Sequence, residues 1–194
     1  MKNFLISIVK KFTILILVSG IIFAQAAGGV NYKKLKVKKD SFEGTTKHYA
    51  SLKANNSLSF GQLLGEFSGF KKLKYNQFYQ ILRVESDEYE DLVAYFLILT
   101  LKGDGWIFME QVTFKNPKTK WKKTFKWDFF DVNQKYIYDG IISEMITIPI
   151  TVDEVNEMLI QSEFLARVYG KEGVSDTEVS NTKSSKLMFD LVNK

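Results

Sequence analysis

The chain has 194 residues, 45% hydrophobic and 14% aromatic, with two prolines and no cysteine. That composition argues against disorder, and the absence of cysteine excludes disulfide-stapled scaffolds and cysteine-based nucleophile or metal chemistry. The formal net charge is +5, but Lys2, Lys10 and Lys11 supply three of those charges, so the chain after residue 26 is only +2, too weakly basic for an ordinary nucleic-acid binder.

Those three lysines precede or flank a nearly unbroken apolar run, residues 12–23, followed by Ala24-Gln25-Ala26. The alanines stand at the −3 and −1 positions of a signal-peptidase site, so residues 1–26 read as a cleaved export signal with Ala27 as the new N-terminus. The run is shorter than the roughly 20 residues a membrane-spanning helix needs. An uncleaved anchor would have to count in residues 4–9 across Lys10 and Lys11. No cysteine follows the run, which excludes lipoprotein processing, and no later segment is long and apolar enough to span a membrane. The expected location is periplasmic or secreted. A mature chain of about 170 residues can bury a core without disulfides.

Residues 27–56 read as a polar arm, rich in lysine: Lys33, Lys34, Lys36, Lys38 and Lys39. Within it, residues 34–38 alternate like an edge strand, where lysines discourage aggregation, and residues 44–56 read as loop. A single domain is expected over residues 57–194. It opens with Phe60, Leu63, Leu64 and Phe67, one apolar helical face. Ser59 with Gln62 fits a capping box and Gly69 a stop, while Gly61 and Gly65 weaken the helix by about 1 kcal/mol each.

An antiparallel meander of about four strands is expected next. Residues 77–85 alternate and lead into an acidic turn, Asp87-Glu88-Tyr89-Glu90-Asp91. Residues 92–101 are almost wholly apolar and predict a central strand buried on both faces. Lys102-Gly103-Asp104-Gly105 predicts a tight hairpin turn, with residues 106–115 returning beside that strand. Residues 116–119 turn the chain again, and residues 121–130 predict a strand with Phe125, Trp127 and Phe129 on one face.

Residues 143–150 predict a further strand, with Pro149 near its end. Thr151 with Glu154 caps a helix running to about residue 162, with Val152, Val155 and Leu159 buried. Residues 164–169 and 174–179 form a hairpin about the turn at 170–173. Ser180 caps a last helix with Leu187, Met188, Leu191 and Val192 inward. The expected fold is α+β: a curved antiparallel sheet of about six to seven strands with two to three helices packed on one face.

Chemistry-bearing residues are sparse. The single histidine, His48, sits in a polar segment and reads as a solvated loop residue. No serine lies in a G-x-S-x-G elbow, Gly103-Asp104-Gly105 lacks the rest of a dinucleotide loop, and the acidic run lacks the order of a calcium loop. Asp128, Asp131, Asp139 and Glu144 are the carboxylates that could pair for glycan or lipid hydrolysis. No metal or cofactor is expected. The most suggestive surface is the basic run that also includes Lys115, where Lys118, Lys120, Trp121, Lys122, Lys123 and Lys126 interleave cations with aromatics. Lysines attract anionic groups and aromatics stack on sugars. On an amphipathic strand the same residues would simply put aromatics in the core and lysines in water.

Leu58-Ser59-Phe60-Gly61-Gln62-Leu63-Leu64, then Phe70, Lys74-Tyr75 and Phe78 ahead of an alternating strand, resembles the start of small exported bacterial α+β domains of unknown function. The resemblance covers about residues 58–98. Tyr75 stands where that pattern has a tryptophan, and the usual glycine of the next turn is missing. It implies an envelope domain and carries no activity. Taken together, the expected function is an exported, non-catalytic domain binding an envelope protein or an anionic envelope polymer. The alternative is a hydrolase using paired carboxylates.

Overall fold

The computed structural model describes residues 32–56, 75–89, 92–127, 133–138 and 140–193, all within one compact unit, Asn31–Lys194. Their ten strands are β1 (Lys36–Asp40), β2 (Thr45–Asn55), β3 (Asn76–Ser86), β4 (Val93–Gly103), β5 (Met109–Lys115), β6 (Lys122–Lys126), β7 (Asn133–Tyr138), β8 (Ile141–Ile150), β9 (Glu163–Gly170) and β10 (Gly173–Ser180). Two helices, α1 (Val152–Ile160) and α2 (Lys183–Val192), complete the described set. Every pairing is antiparallel, in the order β6-β5-β9-β10-β2-β3-β4-β8-β7, with β1 also on β2. This corrects the expected α+β architecture: the described residues form a β-dominated fold with more strands than six to seven and only two short helices. The helix expected over residues 58–69 lies outside the described residues.

Of the strands not expected, β2 comes from the segment read as a polar arm and β7 from residues for which no strand was expected. Residues 44–56 are not loop, because β2 is the strand both halves of the sheet share. Residues 45–52 pair with β3, and residues 53–55 pair with β10. Thr45 and Lys47 hide this strand from hydropathy, although both are buried. Lys47 tolerates burial because its ammonium lies 3.1 Å from Glu43 and 3.6 Å from Asp40, which balances the desolvated charge. His48 is therefore not a loop residue.

β3 and β4 form the expected hairpin, and β4 is central, between β3 and β8. Leu97, Leu99 and Leu101 point into the main core, while Phe96 and Ile98 are buried on the opposite face. At the tip of this hairpin Asp87, Glu88 and Tyr89 are exposed; Glu90 and Asp91 lie outside the described residues.

The four-strand meander breaks at residues 102–105. They make no hairpin: β5 pairs with β6 and β9, not with β4. The chain instead crosses from one half of the sheet to the other. Glu144 of β8, itself 1% exposed, receives the backbone N–H groups of Ile107 (2.6 Å), Phe108 (3.0 Å) and Met109 (3.0 Å). Phe108 takes φ +54°, the left-handed region, so the three amides converge on one carboxylate. Three backbone donors on one carboxylate anchor the segment more strongly than neutral acceptors would.

The two halves close on one core. Tyr79 of β3 meets Phe114 of β5 edge-to-face at 5.6 Å, and Phe114 meets Phe125 and Phe164 in the same way. Gln77 donates to Ser175 Oγ at 2.8 Å and accepts from the fully buried Tyr79 hydroxyl, so these buried polar groups are paired.

α1 begins at Thr151 in the expected capping box with Glu154. Val155, Met158 and Leu159 are buried, but Val152 is 41% exposed. α2 is capped by Thr182, not Ser180, in a box with Ser185. Thr182 Oγ also donates to the Ser51 carbonyl at 2.5 Å, tying the helix to β2. Met188 is buried and Leu187 is 40% exposed, so the inward face is narrower than expected. No described helix is long and apolar enough to cross a membrane.

Candidate functional site

The basic run lies on the β5–β6 hairpin at one edge of the sheet. Asn116 shapes its turn. The Asn116 side-chain oxygen accepts from the N–H of Lys118 (2.9 Å) and Thr119 (3.4 Å), and its amide donates to Gln161 (2.9 Å) just after α1. Asn and Asp favour such turns because the side chain mimics a backbone acceptor. Lys120 then takes φ +58° and sends the chain into β6.

From there the pleat divides the candidate residues. Lys123, Phe125 and Trp127 point inward. Phe125 is buried, Trp127 donates its indole N–H to the Met109 carbonyl at 2.8 Å, and Lys123 is bonded to Glu154 of α1 at 2.7 Å. Trp121 is half-buried, edge-to-face on Phe164 at 5.7 Å. Lys122 and Lys126 point to solvent. Lys118 holds Glu163 at 2.5 Å, a bond that raises the lysine pKa and lowers that of the carboxylate. The structure thus groups Lys122 and Lys126 on the open face, leaves Lys118 and Lys120 in the adjoining turn, and assigns Trp121 and Lys123 to packing.

Residues directly opposite in antiparallel strands share a face. Lys122, Lys115, Leu165, Glu178 and Asn55 form one row across β6-β5-β9-β10-β2 on the open face. The next row is Thr124, Thr113, Arg167 and Asp176. Its side chains meet: Thr113 and Thr124 hydroxyls at 3.0 Å, and Arg167 bidentate to Asp176 at 2.6 and 2.8 Å. Lys115 belongs to this face beside Lys122 and Lys126. Sequence reading left it out of the site because register is invisible in a single chain.

A groove of about 640 Å³ opens on this face, lined by Lys53, Lys115, Pro117, Lys118, Leu165 and Glu178 among others. That volume falls within the range of small-ligand sites. Among the described residues, Lys53, Lys115, Lys122 and Lys126 have no carboxylate within ion-pair distance. Lys115 and Lys122 are directly opposed, an arrangement that costs stability in a sheet when nothing anionic lies between.

Of the carboxylates considered for hydrolysis, only Glu144 lies among the described residues. Glu144 is committed to the three backbone amides, and Asp128, Asp131 and Asp139 lie outside the described residues. No group of three or more acid or histidine side chains among the described residues could hold a metal ion.

His48 of β2 faces Arg83, its register partner on β3, and lies 3.4 Å from the Glu85 carboxylate, which is paired to Arg83. Arg83 also donates to the Tyr95 hydroxyl at 3.2 Å. Burial, then the Arg83 guanidinium, lowers the His48 pKa below its ordinary 6.5. The folded state thus binds this proton less readily than the unfolded chain. Stability is lost as pH falls through 6.5, and the loss saturates below the folded-state pKa. Thermal midpoints measured at about pH 7.5 and about pH 5.5 should drop on acidification, and His48→Gln should shrink the drop. An unchanged drop in the variant would remove His48 from the explanation.

No family model matches this chain, and neither does any curated protein or solved structure.

Proposed function

We propose that this chain is an exported, non-catalytic envelope domain that holds an anionic envelope polymer on the open face of β6-β5-β9-β10. The observation that carries the reading is the directly opposed Lys115–Lys122 pair, without a carboxylate partner among the described residues, with Lys126 and Lys53 on the same face and a groove beside them. A cross-strand lysine pair is unfavourable alone and favourable around an anion. The N-terminal signal pattern supports the envelope setting. The hydrolase alternative gains nothing from Glu144, whose carboxylate is fully engaged.

Titration of the protein with poly-L-glutamate tests the reading. Lys115→Glu with Lys122→Glu should weaken binding at least about tenfold and flatten its salt dependence. Lys186→Glu, an exposed lysine on α2, should change it little. Equal losses from both changes would make the binding non-specific and sink the proposal. Capture of a protein that competes with the polymer for the same lysines would redirect it to a protein partner.

A further inference from the structure

The open face is not uniformly cationic. Glu178 stands in the same row as Lys115, with Leu165 between them. The other two carboxylates nearby are taken, Glu163 by Lys118 and Asp176 by Arg167. Glu178 has no ion-pair partner among the described residues. On its other side Lys53 lies diagonally across from it, opposite Ser180. The groove therefore presents one anionic seat flanked by cationic seats, over the apolar surface of Leu165 and Pro117.

Strands are 4.7–4.9 Å apart, so β5 and β10, two steps apart, place Lys115 and Glu178 about 10 Å from each other. A uniform polyanion would be repelled at Glu178. An extended tripeptide spans about 10 Å between its amine and its carboxylate, which matches this spacing. We infer that the groove takes a short zwitterionic peptide with both termini free, its carboxylate on Lys115 and its amine on Glu178. This goes beyond the polymer-binding reading, with which it shares Lys115.

Glu178→Gln separates the possibilities because its effect changes sign with the ligand. The substitution is nearly isosteric and half-exposed, and an unchanged thermal midpoint certifies the fold. With trialanine bearing free termini as probe, Glu178→Gln should weaken binding about tenfold, the order of one charge-assisted hydrogen bond. N-acetylation of the peptide should cause a similar loss in the unaltered protein and none further in the variant. With poly-L-glutamate, Glu178→Gln should leave binding unchanged or tighten it. If trialanine fails to bind, or binds equally to both proteins, the zwitterion inference is overturned while polyglutamate binding through Lys115 and Lys122 keeps the broader reading intact. If polyglutamate ignores the lysine substitutions but trialanine still depends on Glu178, the polymer reading falls and the amine seat stands.

Discussion

Glu144→Ala is expected to destabilise the protein by about 3–6 kcal/mol, since each buried donor left without a partner costs about 1–3 kcal/mol. Three consecutive amides, at Ile107, Phe108 and Met109, converge on this one carboxylate. A domain of this kind has about 5–15 kcal/mol of stability in total, so the variant should unfold at a sharply lower urea concentration or fail to accumulate. Glu144→Gln gives a graded test. Its amide keeps one acceptor oxygen but sets an NH2 group against a backbone N–H, so an intermediate loss is expected. Urea midpoints for the two variants check the order. A Glu144→Ala protein within about 1 kcal/mol of the unaltered chain would show that the loop at 107–109 finds other partners.

Gly170→Ala is expected to cost about 3 kcal/mol or more, at the upper end of ordinary overpacking. A Cβ at Gly170 would lie 2.1 Å from the Ile107 carbonyl oxygen and 2.8 Å from its carbon. Backbone cannot yield easily there. Ile107 donates to Glu144, and its carbonyl accepts from Glu172 N–H at 3.3 Å. Gly105 is the milder control, since a Cβ there meets only the Tyr75 hydroxyl, at 3.6 Å, an ordinary van der Waals contact. Equal midpoints for Gly170→Ala and Gly105→Ala would contradict this account. Because Glu144 and Gly170 hold the same crossover, combining Glu144→Ala with Gly170→Ala should lose less than the sum of the two.

Elements whose evidence is local were legible. The Thr151–Glu154 capping box, the apolar β4 and the β9–β10 hairpin needed only neighbouring residues to be recognised, because caps, pleat and turns are short-range physics. β2 was harder, since Thr45, Lys47 and His48 imitate loop composition, and only pairing with β3 and β10, more than thirty residues away, makes them a shared strand. The glycine-rich stretch at 102–105 looked like a hairpin. It became a crossover because Glu144, about forty residues later, captures the following amides.

The same division runs through the candidate site. Alternation along β6 showed that Lys122 and Lys126 share a side, and that aromatics occupy the other. It could not show that Lys115 stands opposite Lys122, that Lys123 turns inward to Glu154, or that Glu178 joins the row. Composition and periodicity alone determined a cysteine-free, strand-rich chain with an export-like start and a basic hairpin. Only the tertiary structure decided the register that gathers five strands' side chains on one open face. Register is set by pairing between distant segments, and a shift of one residue would send every one of those lysines to the opposite side.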